Sequence, residues 1–202
     1  MKLSKRGEYA LRSLINLGIA AEVERALVQV SELAENEQIP IKFLEQIMQA
    51  LKEAGLVVSA RGKFGGYRLA KPASEIPIGA VIRLIDGPLA PIRCVSQSAY
   101  EPCTCPNETH CGLRMLMLDV RNAIAGILDR YTLADVVEVT LRKLRRDNIA
   151  LPFSPEADAA AADTARNRRS EQLLRKRALA GAAERRSEVE GVLHQLLGDY
   201  SI

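Results

Sequence analysis

The residues best equipped for chemistry crowd into one stretch, Arg93 to Arg114, RCVSQSAYEPCTCPNETHCGLR. All four cysteines, Cys94, Cys103, Cys105 and Cys111, lie in it, with His110, one of only two histidines. The spacing is C-x8-C-x-C-x5-C on a segment rich in Pro, Ser, Thr, Asn and Glu, which predicts a loop. Thiolates grouped in this way are soft ligands that suit a metal or redox site. A structural zinc held by all four is another outcome, although the paired C-x2-C knuckles of zinc ribbons are missing. A third is a metal-free switch in which Cys103 or Cys105 forms disulfides under oxidation. His110 beside Cys111 is a formal nucleophile–base couple. No Gly-rich phosphate loop or nucleophile elbow accompanies it and His194 is remote, so no enzyme is expected.

Composition narrows the setting. The chain has 202 residues, 48% of them hydrophobic but only 4% aromatic and none of them Trp, which suits helices with a Leu, Ile, Val and Ala core. A net charge of +3 is modest, so a nucleic-acid partner must be argued from local placement. No window approaches the roughly 18 apolar residues of a membrane span. The start, MKLSKRGEYALRSL, lacks a signal-peptide pattern. A cytoplasmic protein with reduced thiols and no membrane partner is expected.

The elements around the loop say what the thiols would serve. From Glu8 to about Val23, Leu11, Leu14, Ile15 and Ile19 fall on helical spacing. Lys2, Lys5 and Arg6 precede that helix, where basic side chains and helix amides suit a phosphate. Next, Val30–Asn36 and a second helix opened by Pro40 read as a helix-turn-helix. Ile41, Leu44, Ile47, Met48 and Leu51 make its buried stripe, leaving Lys42, Glu45, Gln46, Gln49 and Lys52 outward, as in a helix that enters a major groove. Two strand-like runs, Leu56–Ala60 and Tyr67–Leu69, joined by RGKFGG, predict a hairpin. Arg61, Lys63 and Arg68 make it a basic wing for DNA phosphates or a minor groove. Together these predict a mainly α fold with a small β wing, a winged helix-turn-helix domain over residues 1–87.

Ser74–Asp86 reads as a further helix, stopped by Gly87 and Pro88. After the thiol loop, residues 88–111, an apolar stripe of Leu113, Leu116, Met117, Val120, Ile124, Ile127, Leu128 and Tyr131 predicts a helix about 30 Å long. Part of that stripe should pack on its own chain and part on a twin across a two-fold axis. With the next helix, capped by Thr132, it forms a dimerisation segment over residues 112–150. Residues 151–202 are a charged Ala- and Arg-rich extension, which regains helical spacing at Val189, Val192, Leu193, Leu196 and Leu197.

Four stretches resemble the Rrf-type winged-helix repressors: MKLSKRGEYAL, FLEQIMQALKEAGLVVSARGKFGGYRLAK, IPIGAVIRLIDG and CGLRMLMLDVRNAIAGILDRYTLADV. The likeness spans Met1 to about Val137 and is most specific from Phe43 to Leu69. Gln38 departs from it, standing where the helix-turn often has glycine. The resemblance implies a homodimer on double-stranded operator DNA, with Lys42, Glu45 and Gln46 at recognition positions and Arg61 as the wing arginine. In sensing members three loop cysteines hold an iron–sulfur cluster (4Fe–4S or 2Fe–2S) that gates operator binding in response to iron, nitric oxide or redox state; another member holds no cluster. Cys94, Cys105 and Cys111 match the ligand positions. Cys103 is an extra thiol able to replace Cys105. The histidine ligand of one branch falls at Arg114, which has no lone pair to give. The carboxylate that another branch draws from the partner's N-terminal region resembles Glu8.

Overall fold

The computed structural model describes residues 3–62 and 64–157, together with 159, 163 and 171–172. Lys2, Lys63 and the apolar spacing after Val189 lie outside them. The chain divides into a unit over Met1–Ser154, containing the segments 1–87, 88–111 and 112–150, and a second unit over Pro155–Ile202.

Helix α1 (Lys5–Glu22) is the element on which most others pack, touching the helix-turn-helix, the wing and both later helical segments. Its inner face buries Ala10, Leu14 and Leu17. It starts three residues before the apolar spacing predicts, because Ser4 caps it: the Gly7 amide donates to Ser4 Oγ at 2.9 Å. Lys5 and Arg6 therefore belong to its first turn. The Asp86 carboxylate faces the start of this helix, accepting from the Ser4 amide at 2.8 Å and from the Ser4 hydroxyl. Gly7 lets it in, since a Cβ there would lie 2.7 Å from both carboxylate oxygens.

Helices α2 (Val30–Glu37) and α3 (Ile41–Glu53) form the helix-turn-helix. Gln38 ends α2 at φ 54° in the left-handed region, and the Ile39 amide returns to the Ala34 carbonyl at 2.9 Å. Leu44, Ile47, Met48 and Leu51 on α3 are fully buried, each contributing roughly 1.5–3 kcal/mol of apolar burial. Ile41, expected in that stripe, is 44% exposed, because the first turn of α3 begins before the helix meets the core.

Strands β1 (Val57–Ala60) and β2 (Gly66–Leu69) pair antiparallel from Val57↔Leu69 to Ala60↔Gly66 and make the wing. A contact not foreseen from sequence roots it: Val28 and Tyr67 exchange backbone hydrogen bonds of 3.0 and 2.8 Å. Gly66 permits this approach, because a Cβ there would sit 2.5 Å from the Val28 carbonyl oxygen.

The helix predicted over Ser74–Asp86 is in fact a 3-10 turn (Ala73–Glu75) and helix α4 (Ile78–Asp86). Pro77 breaks it by forcing the preceding Ile76 into extended backbone. The break is used: the Ile78 amide donates to the Tyr131 carbonyl at 2.9 Å, and the Leu133 amide to the Ile76 carbonyl at 2.8 Å. This clamp joins α4 to the junction between α5 (Gly112–Arg130) and α6 (Leu133–Arg146). Thr132 caps α6 as expected, with Asp135 completing the capping box.

The α5 stripe divides into two faces. Ala125 and Leu128 turn inward, partly buried against the core. Leu113, Leu116, Val120, Ile127 and Tyr131 turn outward, from 36% exposed at Val120 to 58% at Leu113. The one buried residue of α5 is Arg121, whose Nε and Nη1 have no hydrogen-bond partner among the described residues. No helix among the described residues is long and apolar enough to cross a membrane.

Gly66→Ala should drive a methyl into the Val28 carbonyl and lower stability by roughly 1–3 kcal/mol. Urea unfolding checks this, and an unchanged midpoint would contradict the close approach.

Candidate nucleic-acid interface and thiol site

A network around Glu37 ties the end of α2 to α1. The Asn16 amide donates to Glu37 Oε1 at 2.5 Å, Arg12 Nη2 to the Glu37 carbonyl at 2.6 Å, and the Asn36 amide to Asn16 Oδ1 at 2.8 Å. Asn16 is 3% exposed, so these bonds satisfy a polar group in the interior. Tyr9 of α1 meets Phe43 of α3 edge-to-face, ring centroids 5.8 Å apart. None of these residues was singled out from sequence. The one available signal was a polar pair, Arg12 and Asn16, one turn apart within an apolar helix.

On this support Lys42, Glu45, Gln46 and Gln49 line a shallow trough along α3. A second concavity lies between the start of α2, the end of α3 and the wing, with Ser31, Lys52 and Arg61 on its walls. Arg61 and Arg68 are both exposed. Arg68 lies across the strand from Val58, and its Nη1 reaches back to the Leu69 carbonyl at 3.5 Å. Lys5 Nζ pairs with Glu8 Oε2 at 2.8 Å, and Arg6 is exposed.

The cysteine loop has two firm anchors. Cys94 lies in a 3-10 turn (Arg93–Val95) after α4 and is buried with Val95. Cys111 is the N-cap of α5, its sulfur accepting from the Arg114 amide at 3.4 Å. Arg114 joins the anchors: its Nε donates to the Cys94 carbonyl at 3.3 Å and pairs with Glu108 at 3.0 Å. The Tyr100 hydroxyl donates to the same Glu108 carboxylate at 2.9 Å, and Arg93 pairs with Glu101. Arg114, unable to be a ligand, thus serves as a brace. The His110 amide donates to Asn107 Oδ1 at 3.3 Å.

All four cysteines are free thiols, Cys105 exposed, Cys103 and Cys111 half-buried. They influence one another in sequence. Hydrogen bonding from Cys105, and to a lesser extent from Cys94, pulls the Cys103 thiol below its ordinary value. Hydrogen bonding to Cys103 and loss of solvation push Cys105 up to about 11. Burial, then the neighbouring Cys103 and Glu108, raise Cys94. Among the described residues no three Cys, His, Asp or Glu side chains converge on a point that would hold a metal ion. The donors fit a thiophilic group by type and neighbourhood, not by a finished cage. Glu8 pairs with Lys5 and Arg12 on α1, and its ion pairs do not reach the loop.

A helix-turn-helix with a polar outer face, followed by a hairpin wing, defines a winged-helix transcription regulator. Residues 3–139 match the family described as Rrf2, iron-dependent transcriptional regulator, and the chain belongs to that family. It is 37% identical over 139 residues to an rrf2-like HTH-type regulator of Rhodobacter capsulatus, covering 67% of this chain and 91% of that one. It is 31% identical to the HTH-type transcriptional regulator IscR of Vibrio atlanticus, covering 78% of this chain and 83% of the relative. Among solved structures, CymR, the global cysteine regulator of B. subtilis, aligns with a TM-score of 0.58 at 29% identity, over 69% of this chain and 98% of CymR. The IscR of T. potens aligns with a TM-score of 0.54 at 26% identity, over 69% and 88%.

In reduced, metal-free protein at pH 8, iodoacetamide should label Cys103 first. Cys105, whose thiol is pushed up by Cys103, should lag although it is more exposed. The lag should close as the pH approaches 11. Mass mapping of time points checks this, and Cys105 labelling first would mean that exposure outweighs the thiol–thiol coupling.

Proposed function

We propose that the chain is a homodimeric repressor of double-stranded operator DNA whose affinity is gated by an iron–sulfur cluster (4Fe–4S or 2Fe–2S) at the cysteine loop. One observation carries this reading: the four free thiols lie along the segment that runs from the turn after α4 to the N-cap of α5, between the winged-helix head and the outward-facing apolar helix. Cys94, Cys105 and Cys111 are the assigned ligands, with Glu8 of the partner subunit as the oxygen ligand and Cys103 able to stand in for Cys105. When bound, the cluster supplies redox chemistry and sensitivity to iron or nitric oxide. The likeness to proteins named IscR supports it.

The chain's own residues do the rest. Lys42, Glu45 and Gln46 face base edges, while Arg61 and Arg68, with Lys63, Lys5 and Arg6, neutralise phosphates. Leu113, Leu116, Val120 and Ile127 pack on a second copy. Arg114 and Glu108 hold the loop against α5, and the Ile76–Leu133 clamp passes movement of α5 to the head.

A thiol switch without metal is the second reading, favoured by the lowered Cys103 thiol beside Cys105 and by the likeness to CymR. There two thiols would surrender two protons and two electrons to an external disulfide or peroxide.

An anaerobic absorption spectrum with iron and sulfide analysis separates them. Visible charge-transfer bands with matching iron and sulfide are expected. A colourless protein containing zinc would instead mean a structural metal, and a colourless metal-free one, even after reconstitution, would leave the thiol switch. On DNA, Gln46→Ala should cost about 1–3 kcal/mol and relax preference at one base pair, while Arg61→Ala should weaken all sequences alike. Mobility shift against a panel of sites reads both, and unchanged retention would remove these residues from the interface. Leu116→Asp should yield monomers in analytical ultracentrifugation, and an intact dimer would place the seam elsewhere.

A further inference from the structure

On the side of the head formed by α1, β2 and α6 there is a groove of about 780 Å³, a size typical of sites for small organic molecules. Its floor is apolar: Leu17, Val137 and Leu141 are each at most 5% exposed. Gly18 brings its walls together, because a Cβ there would stand 2.5 Å from Val137 Cγ2. Two cations of the rim have no side-chain partner among the described residues. Lys71, half-buried after β2, and Arg145, in the last turn of α6, make no side-chain hydrogen bond or ion pair among the described residues. The acids of the same walls are mostly committed elsewhere. Asp135 completes the α6 cap and Glu138 pairs with Arg142, leaving Glu22 alone unpaired. Arg25, also on the rim, is taken by Glu32.

An apolar floor with unpaired cations at its edge is suited to an amphipathic anion. We propose that this groove binds an organic carboxylate with an aliphatic body, its charge met by Lys71 and Arg145 and its chain laid on Leu17, Val137 and Leu141. The surface is separate from the outward face of α5, so a second copy seated there leaves the groove open. It is also apart from the trough of α3. Tyr67 lines both this groove and the cleft under the wing, so an occupant touches the root of the wing strand. The site would give the regulator a second, small-molecule input beside the cysteine loop.

The test reads binding to the full chain without DNA, so it stands or falls independently of the operator and of the loop's chemistry. Decanoate is titrated into isotope-labelled protein and followed by amide NMR shifts, with decanol as the uncharged counterpart. Decanoate should shift the amides of Ala21, Lys71 and Ala134 and bind about ten-fold more tightly than decanol, as one ion pair of roughly 1.4 kcal/mol implies. The double variant Lys71→Glu, Arg145→Glu should lose that advantage. Ala21→Trp, a substitution at an exposed position that fills the groove, should abolish the shifts; both variants should retain the wild-type thermal midpoint. Equal affinity for decanol, shifts confined to the α5 face, no shifts at millimolar decanoate, or a double variant that binds like wild type would each overturn the proposal.

Discussion

Two backbone hydrogen bonds, Ile78 to Tyr131 and Leu133 to Ile76, hold the structure's two ends of business in register. Helix α5 packs on the head through a narrow inward row that includes Ala125 and Leu128, while much of its apolar stripe stays exposed and its one buried side chain, Arg121, leaves two nitrogens without a partner among the described residues. The clamp adds to that limited side-chain packing. Backbone hydrogen bonds are directional and short, so they define where α5 leaves the head more sharply than an apolar contact would. Arg83 adds to them a two-pronged pairing with Asp129 at 2.6 and 2.7 Å, close to the same end of α5.

The opposite end of α5 is held differently. There the link is Arg114, reaching from the first turn to the Cys94 carbonyl and to Glu108. One end is thus tied by backbone and the other by a side chain against a loop of thiols. In the proposed function a change in how those thiols are engaged bears on the softer attachment first. The firmer attachment lies in the chain beside α4, whose last residue Asp86 closes onto the start of α1.

Much of this was legible in the sequence. The apolar spacing of α3 and the glycine-tipped basic hairpin after it were enough for the winged helix, because helix and strand periods are set locally. The assignment of the outward positions on α3 rested on the same spacing. What escaped had long-range causes. Nothing local marks Val28 as a partner of Tyr67, or Glu37 as the acceptor for Arg12 and Asn16, because these contacts join segments that only the fold brings together. Pro77 was visible but was read through, since apolar periodicity on both sides outweighed a single breaker. The stripe on α5 was recognised, yet its division into inward and outward rows depended on where α4 lies. Within the loop, the ligand-type residues were evident from spacing, whereas the bracing role of Arg114 and Glu108 needed coordinates.

The Asp86 carboxylate at the start of α1 has an electrostatic consequence. A helix N-terminus can serve a DNA-binding protein as a fixed partial positive charge for a phosphate. Here that partial charge is neutralised internally, and Lys5 is balanced by Glu8 in the same turn. The attraction of this end of the head for a polyanion is correspondingly muted. In the proposed complex the cations of the wing and α3 then carry the larger share of counter-ion release, with Lys5 and Arg6 adding less, so the slope of affinity against ionic strength counts side chains and not the helix amides.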